Sequence, residues 1–499
     1  MASFWSLLTL YAGLVFLQLA QAQATCNLSP RIAEQLRSLL SPRSEVVLTS
    51  NASFATDFVQ RFSVNRAPSF VVAVKPASAA DVGRVVRYAS QNNVPFLATG
   101  GGHGYTWSLS RLQCGIDLDL SSFDSIAIDN AANTMTIGGS ALSDNVTRAL
   151  YAAGKELPVG MCTCVGFTGF TLGGGIGPYS GLYGAASDSL ISAELVTGTG
   201  QLLTVSKTQH PDLFWGLKGA GFNYGVATAL TFRVYPATNG GQAVVTNMIF
   251  PGALNGTVWQ VLSAFFGNQP KELGLALSVG YQEQRGGMVI IVGFVYAGPE
   301  AESTALLKPF LDLNPLNLQI LNTPWEDVPE VIVYGATRAG CQKGAQFVPY
   351  SVNLYKVDVP NLINVVGYMQ TTLAANATLR SAIVTWAQYA PYGFQRYADD
   401  SSAFPYRAAT AFVQINAFSP SAEQVPALDG FARELRDRFQ RGSGSRSLET
   451  YVHFGHGDET PAAWYSARKL PRLQELKRVY DPKSLFSWYN AVPVRRDYW

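Results

Sequence analysis

ATGGGHGYTWS, Ala98 to Ser108, sets His103 directly behind three glycines. Further along, VGMCTCVGFTGFTLGGGIGP, Val159 to Pro178, sets Cys162 ahead of a second glycine-rich run. Glycine lets backbone N–H groups approach an anionic or planar ligand closely, because no Cβ stands in the way. A His in one turn and a Cys in the other are side chains able to tether a flat, anionic cofactor lying between them. In the second stretch Gly160, Gly166, Gly169, Gly173, Gly174, Gly175 and Gly177 crowd together, which suggests backbone packed against a flat object. Cys162 beside such N–H groups reads as a thiol of lowered pKa; the other reading is a buried, inert one. The first turn is not the dinucleotide fingerprint, since G-x-G-x-x-G with a following acidic residue does not occur. A GxxxxGK[ST] loop is also missing, which argues against a nucleoside-triphosphate enzyme.

The rest of the chain narrows the class. At 499 residues it exceeds one ordinary core, and 47% hydrophobic with 14% charged residues describes a packed globular protein. Formal net charge is +2 with no basic block, so the phosphate footprint of a nucleic-acid binder is missing. The apolar run Phe4–Leu19 followed by Ala20-Gln21-Ala22 reads as a signal peptide over residues 1–22, too short and too poorly flanked for a membrane anchor. Secretion accords with N-x-S/T sequons at Asn27, Asn51, Asn145, Asn255 and Asn376. Five cysteines leave at least one unpaired; Cys26–Cys114 is a plausible disulfide, whereas Cys162 and Cys164 stand too close to bridge each other. One CxC without a second cluster cannot complete a zinc site, so no metal is expected.

Residues from Asn65 to Pro236 alternate β-rich runs with helical patterns. PSFVVAVKP reads as a strand stopped by proline, followed by a Ser78-capped helix with Ala80, Val82, Val85, Val86 and Ala89 on one face. A helix over SDNVTRALYAAGKE takes Ser143 or Asp144 as cap, and ISAELVTGTGQLLTV is a hairpin. The region divides into halves near Ala141. Beyond Gly240-Gly241, strands AVVTNMIF, LGLALSVGY, MVIIVGFVYAG and TAFVQINAF alternate with helices such as ESTALLKPFLD and AEQVPALDGFARELRDRFQR. That pattern predicts an antiparallel sheet covered by helices. RGSGSRS, Arg441 to Ser447, reads as a flexible connection. The expected class is α+β.

Three ordered blocks carry a specific resemblance: PSFVVAVKPASAADVGRVVRYASQNNVPFLATGGGHG, GMCTCVGFTGFTLGGGIGPYSGLYG and HPDLFWGLKGAGFNYGVATALTFRVYP. With the tail YVHFGHGDE…WYSARKLPRLQELKRVYDPKSLFSWYNAVPV, they resemble the berberine bridge enzyme family. Its members are secreted FAD oxidoreductases of the vanillyl-alcohol oxidase (PCMH-type FAD-binding) fold, and the tail is similar to filamentous-fungal members. The resemblance implies a FAD-binding domain over residues 66–237, a substrate domain over 238–445, and a segment over 446–499 returning to the FAD domain. It implies FAD attached twice, through His103 and through Cys162, with Cys164 as the rival thiol. Gly100, Gly101, Gly102 and Gly104 would hold the pyrophosphate; Val165, Gly166, Gly169, Gly173, Gly174, Gly225, Val226, Tyr489 and Asn490 would line the flavin. A hydride donor needs a base for its proton. The candidates are Tyr105, first, then Tyr451, His453, Asp458 and Tyr465. His453 and His456 of HFGH read as packing or as flavin neighbours rather than a metal pair, and His210 as a helix cap. In the resembling family a valine at position 165 accompanies oxygen access. The implied activity is oxidation of a small molecule, a secondary metabolite, with electrons passed to O2 to give hydrogen peroxide. The alternatives are a carbohydrate oxidase, a dehydrogenase with another acceptor, or a non-catalytic binding protein on this fold.

Overall fold

The computed structural model describes residues 26–494; the signal peptide read over residues 1–22 lies outside the described residues. The strand Phe70–Lys75 buries Val72, Ala73 and Val74 and stops at Pro76, which has no N–H to continue a ladder. The Asp81 N–H then donates to Ser78 Oγ (3.2 Å), which caps the helix Ala79–Asn92, and Asn93 closes it at φ 53°. Val82, Val85, Val86 and Ala89 are buried on its inner face; Ala80 is exposed in the first turn and leaves that stripe. A four-stranded sheet results, in the order Glu45–Leu48, Phe70–Lys75, Gly115–Asp119, Phe96–Thr99. Its first pair is antiparallel and the others are parallel. The sheet therefore draws in residues before Arg66.

A second, antiparallel sheet runs Ile126–Asp129, Thr134–Gly138, Gly225–Arg233, Leu190–Thr197, Leu202–Ser206. The halves thus separate between Asp119 and Ile126, earlier than Ala141, because the hairpin Ile126–Gly138 pairs forward with Gly225–Arg233. The helix Ser143–Ala152 has Leu142 at its N-cap and no side-chain cap bond. Ser143 Oγ instead donates to Val165 O (3.0 Å), tying the helix start to the second glycine stretch. His210 occupies the N-cap of Pro211–Ala220, but its ring caps nothing and lies edge-on to Tyr480.

The third sheet has seven antiparallel strands, in the order Asn317–Pro324, Gln242–Pro251, Gly287–Tyr296, Leu273–Gln282, Ala382–Tyr389, Ala411–Ser419, Gln346–Leu354. Every second residue (Met248, Leu277, Ile290, Val352, Val384, Val413) enters a core with the helices Asn255–Phe265, Glu300–Leu311, Val359–Ala375 and Val425–Arg441. The alternate residues, among them Val245, Ile291, Val295, Ala387 and Phe412, face the lobe formed around the first two sheets. A buried bidentate pair, Arg407 with Asp188 (2.7 and 2.9 Å), joins the two lobes. Arg441–Ser447 is held rather than flexible: Ser443 is buried and accepts from Tyr355 N (2.7 Å), and Gln440 Nε2 donates to the carbonyls of Ser445 and Ser447. The chain then crosses back, Trp107 N donating to His456 O (2.7 Å) and Lys477, buried against Asp481 (2.8 Å), donating to Asn223 O.

Candidate active site

The strand Phe96–Thr99 delivers the chain into the first glycine turn, where Gly102 adopts φ 70° and its carbonyl accepts from Phe62 N (2.9 Å). Among the described residues, none accepts a hydrogen bond from the backbone N–H of Gly100, Gly101, Gly102, His103, Gly104 or Tyr105. Such a run of unclaimed donors is what an anion-binding turn requires. Lys343 Nζ donates to Gly101 O (2.6 Å) and Arg61 to Gly104 O (2.5 Å), so two cations flank the turn. His103 stacks on Phe62 (5.0 Å between centroids), and its Nε2 is buried without a partner. Burial first, then the charges of Lys343 and Arg61, hold its pKa down to about 3, which keeps the imidazole neutral and its lone pair nucleophilic.

The second stretch packs directly on the first. A Cβ on Gly101 would come within 2.5 Å of Gly166 N, and one on Gly104 within about 3.2 Å of the Tyr489 ring. Much of the glycine content therefore serves close approach of chain to chain: Gly173 lies under the His453 ring, and Gly174, at φ 122°, under Phe404. Gly169 differs; it is exposed, with open space where a Cβ would sit. Gly225 and Val226 pair with Thr197 and Val196 in the second sheet, and Val226 is buried in the first lobe's core. Gly101→Ala should push the two turns apart, costing about 1–3 kcal/mol as overpacking does. A lowered melting temperature together with weakened flavin retention would show it.

Cys164 is joined to Cys341 (Cα–Cα 5.6 Å) and Cys26 to Cys114 (Cα–Cα 5.1 Å), which leaves Cys162 as the free cysteine among the described residues. The rival thiol is thus engaged. The third sulfur, Cys341, arrives from the chain between the third-sheet strands Asn317–Pro324 and Gln346–Leu354, where no motif marks it. Because two of the three sulfurs are bonded to each other, the cluster offers a metal a single free thiol. The Cys162 thiol is not lowered in pKa as the sequence suggests: burial pushes it up, and the opposing pulls of the Cys164 backbone N–H and Lys343 are smaller.

Around Tyr105 the lobes meet. Its hydroxyl donates to His453 O and accepts from Gln414 Nε2 (2.8 Å), and its ring meets Phe347 edge-on (5.0 Å). Phe62 and Phe418 continue this aromatic wall on either side of Phe347. His453 lies nearby, its Nε2 against Phe170 O (2.9 Å), with Tyr489 and Tyr451 about its ring. Tyr451 is buried, and its hydroxyl accepts from Gly175 N (2.9 Å), fixing the second turn. Two candidate bases stand apart. Asp458 is committed to Arg436 in a bidentate pair (2.7 and 3.1 Å), and Tyr465 is fully buried, donating to Asn490 O and accepting from Asn223 Nδ2. Asn490 is a clamp: its Oδ1 accepts from Thr106 Oγ1 (2.6 Å) and its Nδ2 donates to Val452 O (2.7 Å), which pins the tail to the first turn. His456 turns away from His453, stacking on Tyr350 (4.1 Å) with Nδ1 against Pro349 O. Arg61, Lys343, Gln414 and Cys341 escape sequence reading, because each lies outside the glycine motifs and is brought in only by folding.

Burial holds His453 down at about 4. Its folded pKa lies below the unfolded value of about 6.5. The stability contributed by the neutral ring is therefore complete above pH 6.5 and is withdrawn as pH falls toward 4. The melting temperature should decline over that window, and more gently in His453→Asn than in the parent.

The lobes and the glycine cradle between them define an FAD-binding oxidoreductase fold. A model of the FAD binding domain matches residues 70–206, and one described as "Berberine and berberine like" matches residues 450–493. The FAD-linked oxidoreductase azaL of Aspergillus niger is 35% identical over 88% of this chain and 94% of its own. The FAD-linked oxidoreductase OXR1 of Pyricularia oryzae is 33% identical over 94% and 93%. The chain belongs to the berberine bridge enzyme-like FAD-linked oxidoreductases. In fold it resembles xylooligosaccharide oxidase from Myceliophthora thermophila (TM-score 0.80, 22% identity, 92% of this chain and 98% of the other). It likewise resembles 6-hydroxy-D-nicotine oxidase from Arthrobacter nicotinovorans (TM-score 0.78, 22% identity, 91% and 99%). The residues present fit FAD: unclaimed N–H donors suit its phosphates, and the partnerless buried nitrogen of His103 and the free thiol of Cys162 stand in the two abutting turns.

Proposed function

We propose that this oxidoreductase holds FAD through two covalent bonds, at His103 and Cys162, and oxidises a neutral small organic molecule of the secondary-metabolite kind, with O2 as electron acceptor and hydrogen peroxide as product. The observation that carries the reading is the pairing of a neutral, buried, partnerless imidazole nitrogen with the free thiol across two touching glycine turns. When bound, FAD supplies the hydride acceptor. Tyr105 takes the proton from the substrate hydroxyl or amine, and the N–H donated by Gln414 favours its phenolate.

The inner face of the seven-stranded sheet supports this substrate class. Its alternate residues include Ser278, Ile291, Phe347, Ile383, Thr385, Gln414, Asn416 and Phe418, and none of the strand residues on that face is charged. A face of amides, hydroxyls and aromatic rings suits a neutral, partly apolar molecule and gives an ionised acid no counter-charge. Val165, small and half-buried beside Cys162, supports the oxygen reading. Secretory handling is supported by two disulfides and by the exposure of Asn27, Asn51, Asn145 and Asn376; Asn255 is half-buried and its side chain bonds Ile363 O. Peroxide release screened over neutral phenolic, alkaloid and sugar substrates tests the reading. Turnover of phenolic or alkaloid alcohols is expected, and turnover of sugars alone would overturn it.

A further inference from the structure

We propose that Cys341 decides which thiol the cradle presents: by holding Cys164 in a disulfide between the lobes, it leaves Cys162 as the one free thiol, among the described residues, beside the flavin site. Two thiols stand two residues apart in the same turn, with their sulfurs only 3.6 Å from each other, so position alone discriminates poorly between them. Cys341 supplies the discrimination. Its segment is anchored on the first lobe by Gly344 N to Arg61 O (3.1 Å), Ala345 N to Phe62 O (2.8 Å) and Lys343 Nζ to Gly101 O. Gly340 lets the segment lie flush on the turn, since a Cβ there would stand 3.0 Å from Cys162 Sγ.

The arrangement also allows exchange. Cys162 Sγ is 4.0 Å from Cys341 Sγ. A Cys162 thiolate that bonds to Cys341 expels Cys164 as a thiolate; one S–S bond forms, one breaks, and no electrons are gained or lost. Burial, by keeping Cys162 protonated, slows that attack. Once Cys162 is bonded elsewhere, no thiol remains to attack, and the Cys164–Cys341 bridge is locked.

The proposal rests on covalent attachment at Cys162, and its test separates the two. Wild type, Cys341→Ser, Cys164→Ser and Cys164→Ser/Cys341→Ser are denatured in acid without reductant, alkylated with N-ethylmaleimide and mapped by peptide mass spectrometry. Flavin is expected on Cys162 alone in wild type. In Cys341→Ser, single-site attachment should be lost, with flavin divided between Cys162 and Cys164. In the double variant it should return to Cys162 alone although the bridge is gone, an outcome a merely structural staple would not give. Flavin confined to Cys162 in Cys341→Ser, or a double variant no better than Cys341→Ser, overturns the proposal. If no cysteine carries flavin in wild type, covalent attachment at Cys162 fails, and the alkylation map decides alone. Labelling of Cys162 only in wild type and of both thiols in Cys341→Ser upholds the role of Cys341; labelling of Cys164 in wild type overturns it.

Discussion

The double variant His103→Ala/Cys162→Ala should release all of its flavin on acid precipitation, whereas wild-type protein and either single variant should keep the yellow colour in the pellet. Each proposed bond is sufficient by itself to survive denaturation, so the loss is expected only when both go. The double variant should still bind FAD reversibly at neutral pH, because the donors from Gly100 to Tyr105 and the flanking cations Arg61 and Lys343 remain. Its colour should therefore fade on dilution or dialysis instead of being absent from the start. Colour in the supernatant for wild type, or in the pellet for the double variant, would contradict attachment at these two residues.

How much of this is legible before folding divides along physical lines. Local signals carry well: proline ends the strand at Pro76, Ser78 caps its helix, and apolar runs such as AVVTNMIF and MVIIVGFVYAG mark strands of the third sheet, which are buried on both faces. The glycine turns stand out because so dense a glycine run is rare in an ordinary loop, yet a flat ligand accounts for only part of it. Gly101, Gly173 and Gly174 are glycine because Gly166, His453 and Phe404 press on them, a contact that arises only when distant segments meet. The same holds for Cys162. Its sequence neighbours suggest an activated thiol, but burial under the 340–344 segment, more than a hundred residues away in the chain, reverses the direction of its pKa. Asp458 looks like a base in GHGDE; Arg436, on the helix Val425–Arg441, claims it. Side-chain roles at a lobe interface depend on partners that local patterning does not specify.

Those partners also decide the chemistry at Tyr105, and Tyr105→Phe should lower kcat by about 10²–10⁴-fold, the range that a positioned acid–base group contributes. Flavin content and attachment should be unchanged, since the hydroxyl touches His453 O and Gln414 rather than either tethering residue. KM should move little, because the lost interaction acts on proton transfer and not on uniform binding. The pH profile separates this role from a packing one. Burial, reinforced by Tyr489 and opposed by the Gln414 hydrogen bond, pushes the Tyr105 phenol well above its ordinary range. The active form is the phenolate, so kcat should climb as pH rises toward that raised pKa, and Tyr105→Phe should lose the climb. Gln414→Leu removes the side-chain N–H that donates to the phenol oxygen while keeping the tyrosine. The alkaline limb should then shift to higher pH, with a smaller loss of kcat at neutral pH than in Tyr105→Phe. A profile in Tyr105→Phe parallel to wild type would place the proton-accepting group elsewhere, with His453, held neutral by burial and accepting from the same hydroxyl at its backbone carbonyl, as the next group to replace.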